Sequence, residues 1–199
     1  MRSVTRQRDE TRRRLLDAAF TVFAAKGFGR TRIDDICRAA NFTKGAFYSN
    51  FASLEDLFYA LYREQSRFAA VHTVDVLATA AADPDQAIRR WAEQLPIDRD
   101  WLLINTDFVL HAARHPEVAA QLARERTQFR HEVTALIAAY VREHADRLPP
   151  TLAEPEKWAR AIVTVYDGAI HQLLLDMDES TVREHFAAIA FALARTASP

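Results

Sequence analysis

The chain has 199 residues, a formal net charge of −1 and 49% hydrophobic residues, enough for one large domain or two small ones around an ample core. No apolar run approaches the roughly 20 residues of a membrane span, and no hydrophobic segment follows the arginine-rich start, which argues against a secretory signal. The single cysteine, Cys37, excludes an internal disulfide, so a reducing, cytoplasmic setting is expected.

Charge is unevenly spread. Residues 1–50 hold eleven Lys/Arg and five Asp/Glu, a net +6, on a body of net −7. A basic front on an acidic body points to a polyanion met by the front alone; the alternative is a solvated arginine tail. Glycine is scarce, at positions 27, 29, 45 and 168 only, which favours helices.

From Asp9 to Lys26, Leu15, Ala19, Val22 and Phe23 follow helical spacing, with Leu16 and Phe20 alongside, and Gly27 and Gly29 end the helix. A second, short helix carries Ile33, Ile36, Cys37 and Ala40 on one face. Either Thr31 or Arg32 occupies its cap, with Asp34 and Asp35 in the first turn. The chain must then reverse within a few residues, and Asn41 suits the left-handed conformation such a stop needs. Phe42 fills the angle between helices, and Thr43 caps a third helix from Lys44 to about Asn50.

In that third helix Phe47 and Phe51 share the inward face. Lys44, Gly45, Ala46, Tyr48, Ser49 and Asn50 form an outward face without a carboxylate in the segment. A helix, a turn and a second helix of this size are the ingredients of a helix-turn-helix, whose second helix enters the major groove of DNA. Ser53 opens a long fourth helix, broken at Asp83-Pro84. Further helices are expected at about 85–95, 100–114, 117–146, 155–176 and 179–195, punctuated by Pro96, Pro116 and Pro149-Pro150. No strand alternation is found. The expectation is an all-α chain of nine helices.

The stretch "AAFTVFAAKGFGRTRIDDICRAANFTKGAFYSNFASLEDLF" carries a Gly-Phe pair, T-x-I-x-x-I, a short turn, T-K-G-x-F-Y-x-x-F, an acidic pair and Leu-Phe. From Thr11 to Phe58 the chain resembles the DNA-binding domain of TetR-family transcriptional regulators. It departs from the family pattern at Asn41, usually glycine, and at Leu54, where many members carry a basic residue. "WLLINTDFVLHAARHPEV" is also similar to a stretch in some bacterial members.

The resemblance implies a helix-turn-helix DNA-binding domain over 1–52 and a helical effector-binding and dimerisation domain over 53–199. It implies a homodimeric repressor, released from a pseudo-palindromic operator by an unidentified small-molecule effector; activation, or action without an effector, is the alternative.

Arg30, Thr31, Arg32, Thr43, Lys44, Gly45, Ala46, Tyr48, Ser49 and Asn50 are the candidate DNA contacts. Arg30, Arg32 and Lys44 suit phosphate or base contact, with guanine an option for Lys44; Tyr48 and the start of the third helix suit phosphate, and Ser49 and Asn50 suit base edges. The effector candidates are Phe68, His72, Trp101, Asn105, Phe108, His111 and Tyr166, an apolar set with a few polar groups that need partners when buried. Trp91, Phe129, His131 and Trp158 lie on the same helices, and core packing is the alternative for all of them.

Trp158, Ile162, Val165, Ala169, Leu173, Val182, Phe186 and Ile189 form the expected dimer stripe; its alternative is packing within one chain. His111 and His115 have zinc-compatible i, i+4 spacing but no obvious third ligand, so no metal and no cofactor are expected. No nucleophile elbow, P-loop or dinucleotide-binding turn occurs, so an enzyme is not expected.

Overall fold

The computed structural model describes residues 2–79, 84–94, 98–143, 160–161, 164–165, 168, 171–175 and 178–195. The helices are α1 (Arg2–Lys26), α2 (Ile33–Ala40), α3 (Lys44–Tyr48), α4 (Leu54–Thr79), α5 (Pro84–Gln94), α6 (Arg99–Ala112) and α7 (Pro116–Glu143). Helical residues at 160–161, 164–165, 168 and 171–174 belong to the expected eighth helix, α8, and α9 spans Glu179–Arg195. Among the described residues these helices are accompanied by one 3-10 turn, Phe28–Arg30, between α1 and α2, and by no strand.

The first helix begins at Arg2 rather than Asp9. Arginine is a good helix former, and Arg8 and Arg12 anchor this part of α1 through long-range hydrogen bonds to the carbonyls of Ser49 and Asn50. The third helix is shorter than expected: Ser49 is already its C-cap.

Local sequence explains the boundaries. Asn41 adopts φ 57°, ψ 47°. Its N–H donates to the Arg38 carbonyl at 3.3 Å, and the Phe42 N–H reaches the Cys37 carbonyl at 2.9 Å, which satisfies the last carbonyls of α2. Arg32, not Thr31, is the N-cap of α2, and its N–H donates to Asp35 Oδ2 at 3.1 Å. Ser53 Oγ accepts from the Asp56 N–H at 3.1 Å, and Asp56 Oδ2 accepts from the Ala52 N–H at 3.0 Å, a reciprocal cap that starts α4.

The chain divides into two compact units. One comprises Met1–Gln65 and Asp100–Glu125. Leu15, Ala19, Phe23, Ile36, Phe47 and Phe51 bury the inner faces of α1 to α3, and Leu57, Phe58, Ile104 and Phe108 continue the same core. The Phe58 and Phe108 rings stack with centroids 3.5 Å apart, and Phe28 meets Phe108 edge-on at 4.8 Å. Tyr59 Oη donates to the Val118 carbonyl at 3.1 Å, and burial pushes its pKa up to about 12.

The other unit comprises Ser66–Arg99 and Arg126–Pro199. Here α5 packs on α9: Trp91 lies against Phe186 at 5.6 Å, and Arg183 donates to the Glu93 carbonyl at 2.8 Å. Asp178 caps α9 by accepting from the Thr181 N–H at 3.1 Å.

Asn41 is the sole non-glycine residue with positive φ among the described residues. Replacing it with alanine is expected to destabilise the fold by about 1 kcal/mol, because Cβ crowds the carbonyl in this region. Asn41→Gly is expected to be neutral or stabilising. Urea unfolding of the two variants followed by circular dichroism checks the order.

Candidate nucleic-acid interface

The α3 segment turns its aromatic pair inward. Phe47 and Phe51 are 0% and 2% exposed, whereas Tyr48 is 58% exposed. Thr43 Oγ1 accepts the Ala46 N–H at 3.2 Å and so caps the helix. Lys44, Gly45 and Ser49 are exposed beside Tyr48; Ala46 and Asn50 are half-buried. A Cβ at Gly45 would meet nothing closer than Thr43 Oγ1 at 3.6 Å, an ordinary contact. Nothing inside the protein requires glycine there, although glycine weakens a helix. Its lack of a side chain instead opens the outer surface to close approach.

Arginines of the basic front, for which contact with a polyanion was the expectation and a solvated tail the alternative, hold this helix in place. Arg8 Nη2 donates to the Ser49 carbonyl at 3.2 Å and Arg12 Nη1 to the Asn50 carbonyl at 3.1 Å. Arg12 also lies over the Phe51 ring, 4.4 Å from its centroid. Arg14 repeats the device on α2, donating to the Ala40 carbonyl at 3.0 Å and covering Phe42 at 4.7 Å. These cations neutralise the negative ends of two short helices. Their positioning role was missed from sequence; the i, i+4 spacing of Arg8 and Arg12 was the available signal.

The candidate contacts separate into distinct roles. Thr31 is 6% exposed and donates to the Gly27 carbonyl at 2.8 Å, so it shapes the turn instead of facing a ligand. Arg30 is exposed and donates through Nε to the Lys26 carbonyl at 2.7 Å. Arg32 is exposed at the start of α2. Ser49 Oγ donates to the Gly45 carbonyl at 2.8 Å, and Asn50 Nδ2 to the Ala46 carbonyl at 2.8 Å. Both side chains are thus folded onto their own helix, and Asn50 Oδ1 is buried without a hydrogen-bond partner.

The surface is also less acid-free than its own segment implied. Lys44 Nζ lies 2.8 Å from Asp34 Oδ1 of α2, and that carboxylate holds the lysine above its usual pKa. Asp35 pairs with Lys26 at 2.7 Å, which keeps its carboxyl below the ordinary range.

A contact from α6 fixes the end of α1. Gly27 has φ 78°, and a Cβ there would come within 2.8 Å of Asp107 Oδ2. The Phe28 N–H donates to that same carboxylate oxygen. His111, one turn further along α6, packs on the Phe28 ring at 4.7 Å, with Nε2 3.4 Å from Glu55 Oε1. His115 lies beyond the end of α6 and stacks on His111 at 4.2 Å. Among the described residues no group of three or more His, Cys, Asp or Glu could hold a metal ion.

The expected effector residues that are described sit in different surroundings. Phe108 is fully buried against Phe58, and Trp101 stacks on Phe58 at 6.0 Å, both as core packing. Asn105 and His111 are half-buried. On α4, Phe68 is 60% exposed, and His72 is half-buried with Nε2 lacking a hydrogen-bond partner. A groove of about 540 Å³ lies between α5 and α9, lined by Arg89, Glu93, Ser180, Arg183, Glu184 and alanines; none of the expected effector residues line it.

In the expected dimer stripe, Val182 (1% exposed) and Phe186 (3%) are already covered by their own chain, Phe186 by Trp91. They are internal packing rather than free interface. Leu173 is also buried, Val165 half-buried and Ile189 exposed. Trp158, Ile162, Tyr166 and Ala169 lie outside the described residues.

Residues 15–61 match the family model described as bacterial regulatory proteins, tetR family. That stretch, about a quarter of the chain, is similar to the TetR-family DNA-binding domain. The relatives are regulators, not enzymes. The chain is 26% identical over 145 residues to a probable acrEF/envCD operon repressor of Escherichia coli strain K12, covering 73% of this chain and 60% of that protein. It is 44% identical over 57 residues to the A-factor receptor protein of Streptomyces griseus, covering 29% of this chain and 21% of that one. The chain therefore spans less than two thirds of the length of these relatives.

The fold is similar to that of a Rhodococcus sp. protein assigned to the TetR family, with a TM-score of 0.77, 16% identity and coverage of 94% of this chain and 99% of that one. Reduced E. coli NemR gives 0.69 at 15% identity, covering 95% and 100%.

Arg12 combines a charge-assisted hydrogen bond with a cation–π contact. Arg12→Ala is expected to lower stability by about 1.5 kcal/mol. Arg12→Lys should recover only part of that, since lysine lacks the planar fork. Urea unfolding of the three proteins tests the order.

Proposed function

We propose that this chain is a TetR-family transcriptional repressor that inserts α3 into the major groove of a pseudo-palindromic operator as a homodimer and leaves it when a small effector binds. The observation that carries the reading is the burial of Phe47 and Phe51, with Lys44, Gly45 and Tyr48 outward on the opposite face. Lys44 offers a cation to phosphate or guanine, Tyr48 a hydroxyl to phosphate, and Gly45 a close approach. Arg30 and Arg32 supply exposed charge nearby. A two-fold dimer sets its recognition helices about 34 Å apart, one turn of DNA.

Repression is supported by the operon repressor among the relatives. Effector control is supported by two observations. The Asp107 carboxylate ties α6 to the Gly27–Phe28 turn, so a ligand that shifts α6 would shift the end of α1. His72 also holds a buried ring nitrogen without a partner, a group that a polar ligand could satisfy.

Lys44→Ala and Tyr48→Phe are expected to weaken binding to duplexes selected by the wild-type chain from a random library, with folding and oligomeric state retained. Each should cost about 1 kcal/mol or more. Gel shift beside size-exclusion chromatography and circular dichroism checks this, and unchanged affinity in both variants overturns the assigned face. Affinity should also fall linearly on a log–log plot against salt.

A further inference from the structure

The α3 segment contains no acid, yet the fold places one on its surface. Asp34 sits in the first turn of α2, ten residues before Lys44, and its Oδ1 lies 2.8 Å from Lys44 Nζ. Both side chains remain about half exposed, at 52% and 60%. The pair therefore lies on the surface that the proposed function turns toward DNA. The neighbouring acid, Asp35, is used differently: its side chain is 15% exposed and bound to Lys26 and to the Arg32 N–H. Asp35 holds the helix start together, and no comparable backbone bond ties down Asp34 among the described hydrogen bonds.

A carboxylate in contact with a lysine ammonium offers the same charge-assisted oxygen acceptor that a phosphate diester offers. Resting on the DNA-binding reading above, we propose that Asp34 is an affinity-setting residue: it occupies Lys44 in the free protein as an internal stand-in for phosphate, and DNA must displace it. Two consequences follow from electrostatics alone. Lys44 releases fewer counterions on binding than an unpaired lysine, because part of its charge is already compensated. The Asp34–Lys44 pair must also be broken before Lys44 can meet a phosphate, at the modest cost of an exposed ion pair. Asp34 therefore lowers sequence-independent affinity, the component of binding that is almost wholly electrostatic.

The test compares wild type, Asp34→Asn, Lys44→Ala and the double variant on a random-sequence duplex of about 30 bp, by fluorescence anisotropy between about 50 and 200 mM salt. Asp34→Asn is expected to bind about two- to fivefold more tightly, the range of an exposed ion pair. Its log–log salt slope should steepen by up to about 0.9 per chain. In the Lys44→Ala background the same substitution should tighten binding much less, because the pair is already broken.

Equal tightening in both backgrounds overturns the proposal, since it would then reflect net charge and not the pair. Lys44→Ala weakening binding while Asp34→Asn leaves it unchanged also overturns it, with the DNA-binding face intact. Failure of the wild type to bind duplex at low salt removes both readings together. Circular dichroism of the exposed-site variants confirms that folding is equal.

Discussion

Two phenylalanine rings, with centroids 5.8 Å apart, determine which way a five-residue helix faces. A helix of that length is not stable on its own in water, because nucleation costs more than one turn of hydrogen bonds returns. Its stability must come from tertiary contacts, and Phe47 and Phe51 supply the largest. Full burial of each side chain contributes on the order of 1.5–3 kcal/mol, and Arg12 and Arg8 fasten the C-terminal end from α1. Rotating α3 would expose both rings and break those bonds together. The outward set of Lys44, Gly45, Tyr48 and Ser49 follows from the inward pair, in the same way that one face of a coin follows from the other.

The basic front of the chain is spent largely on its own architecture. Arg8, Arg12 and Arg14 bond to carbonyls at the ends of α3 and α2, Lys26 holds Asp35, and Arg13 pairs with Glu10. A formal excess of bases over the first fifty residues therefore overstates the charge offered to a partner. Lys44 itself shares its charge with Asp34. The free cationic charge on this surface is therefore smaller than composition suggests, and the proposed DNA contact would rest more on fit than on charge.

Features fixed within one turn of helix were legible in the sequence. The left-handed Asn41, the Thr43 and Ser53 caps and the inward Phe47–Phe51 pair each depend on neighbours no more than four residues away, and helical spacing exposes them. Features that depend on distant segments were not. The Arg8–Ser49, Asp34–Lys44 and Phe28–Asp107 contacts join residues that spacing cannot relate, so the arginines read as polyanion contacts or a tail and α3 read as free of acids. Thr31 is an exception on the local side: its hydroxyl bonds to the Gly27 carbonyl four residues back, through a 3-10 turn that helical spacing does not reveal. The α9 stripe has a different cause: periodicity reports that a face is buried but not what buries it. Val182 and Phe186 are covered within their own unit, by α5 in the case of Phe186.

The Gly27–Phe28 turn gives the first unit a mechanical connection that composition alone would not suggest. Glycine there is favoured by its positive φ, and a Cβ would press on the Asp107 carboxylate that accepts the Phe28 N–H. The Phe28 ring then sits between Phe23 of α1, Phe58 of α4 and Phe108 of α6. One aromatic residue thus touches the helix that clamps α3, the helix that follows α3 and the helix that carries Asp107. Close-packed interiors respond to displacement by discrete rearrangement more readily than by smooth deformation. A shift of α6 must therefore either move the end of α1 with it or break the Phe28–Asp107 hydrogen bond and the ring contacts. Since α1 also holds the end of α3 through Arg8 and Arg12, the orientation fixed by Phe47 and Phe51 is physically continuous with α6.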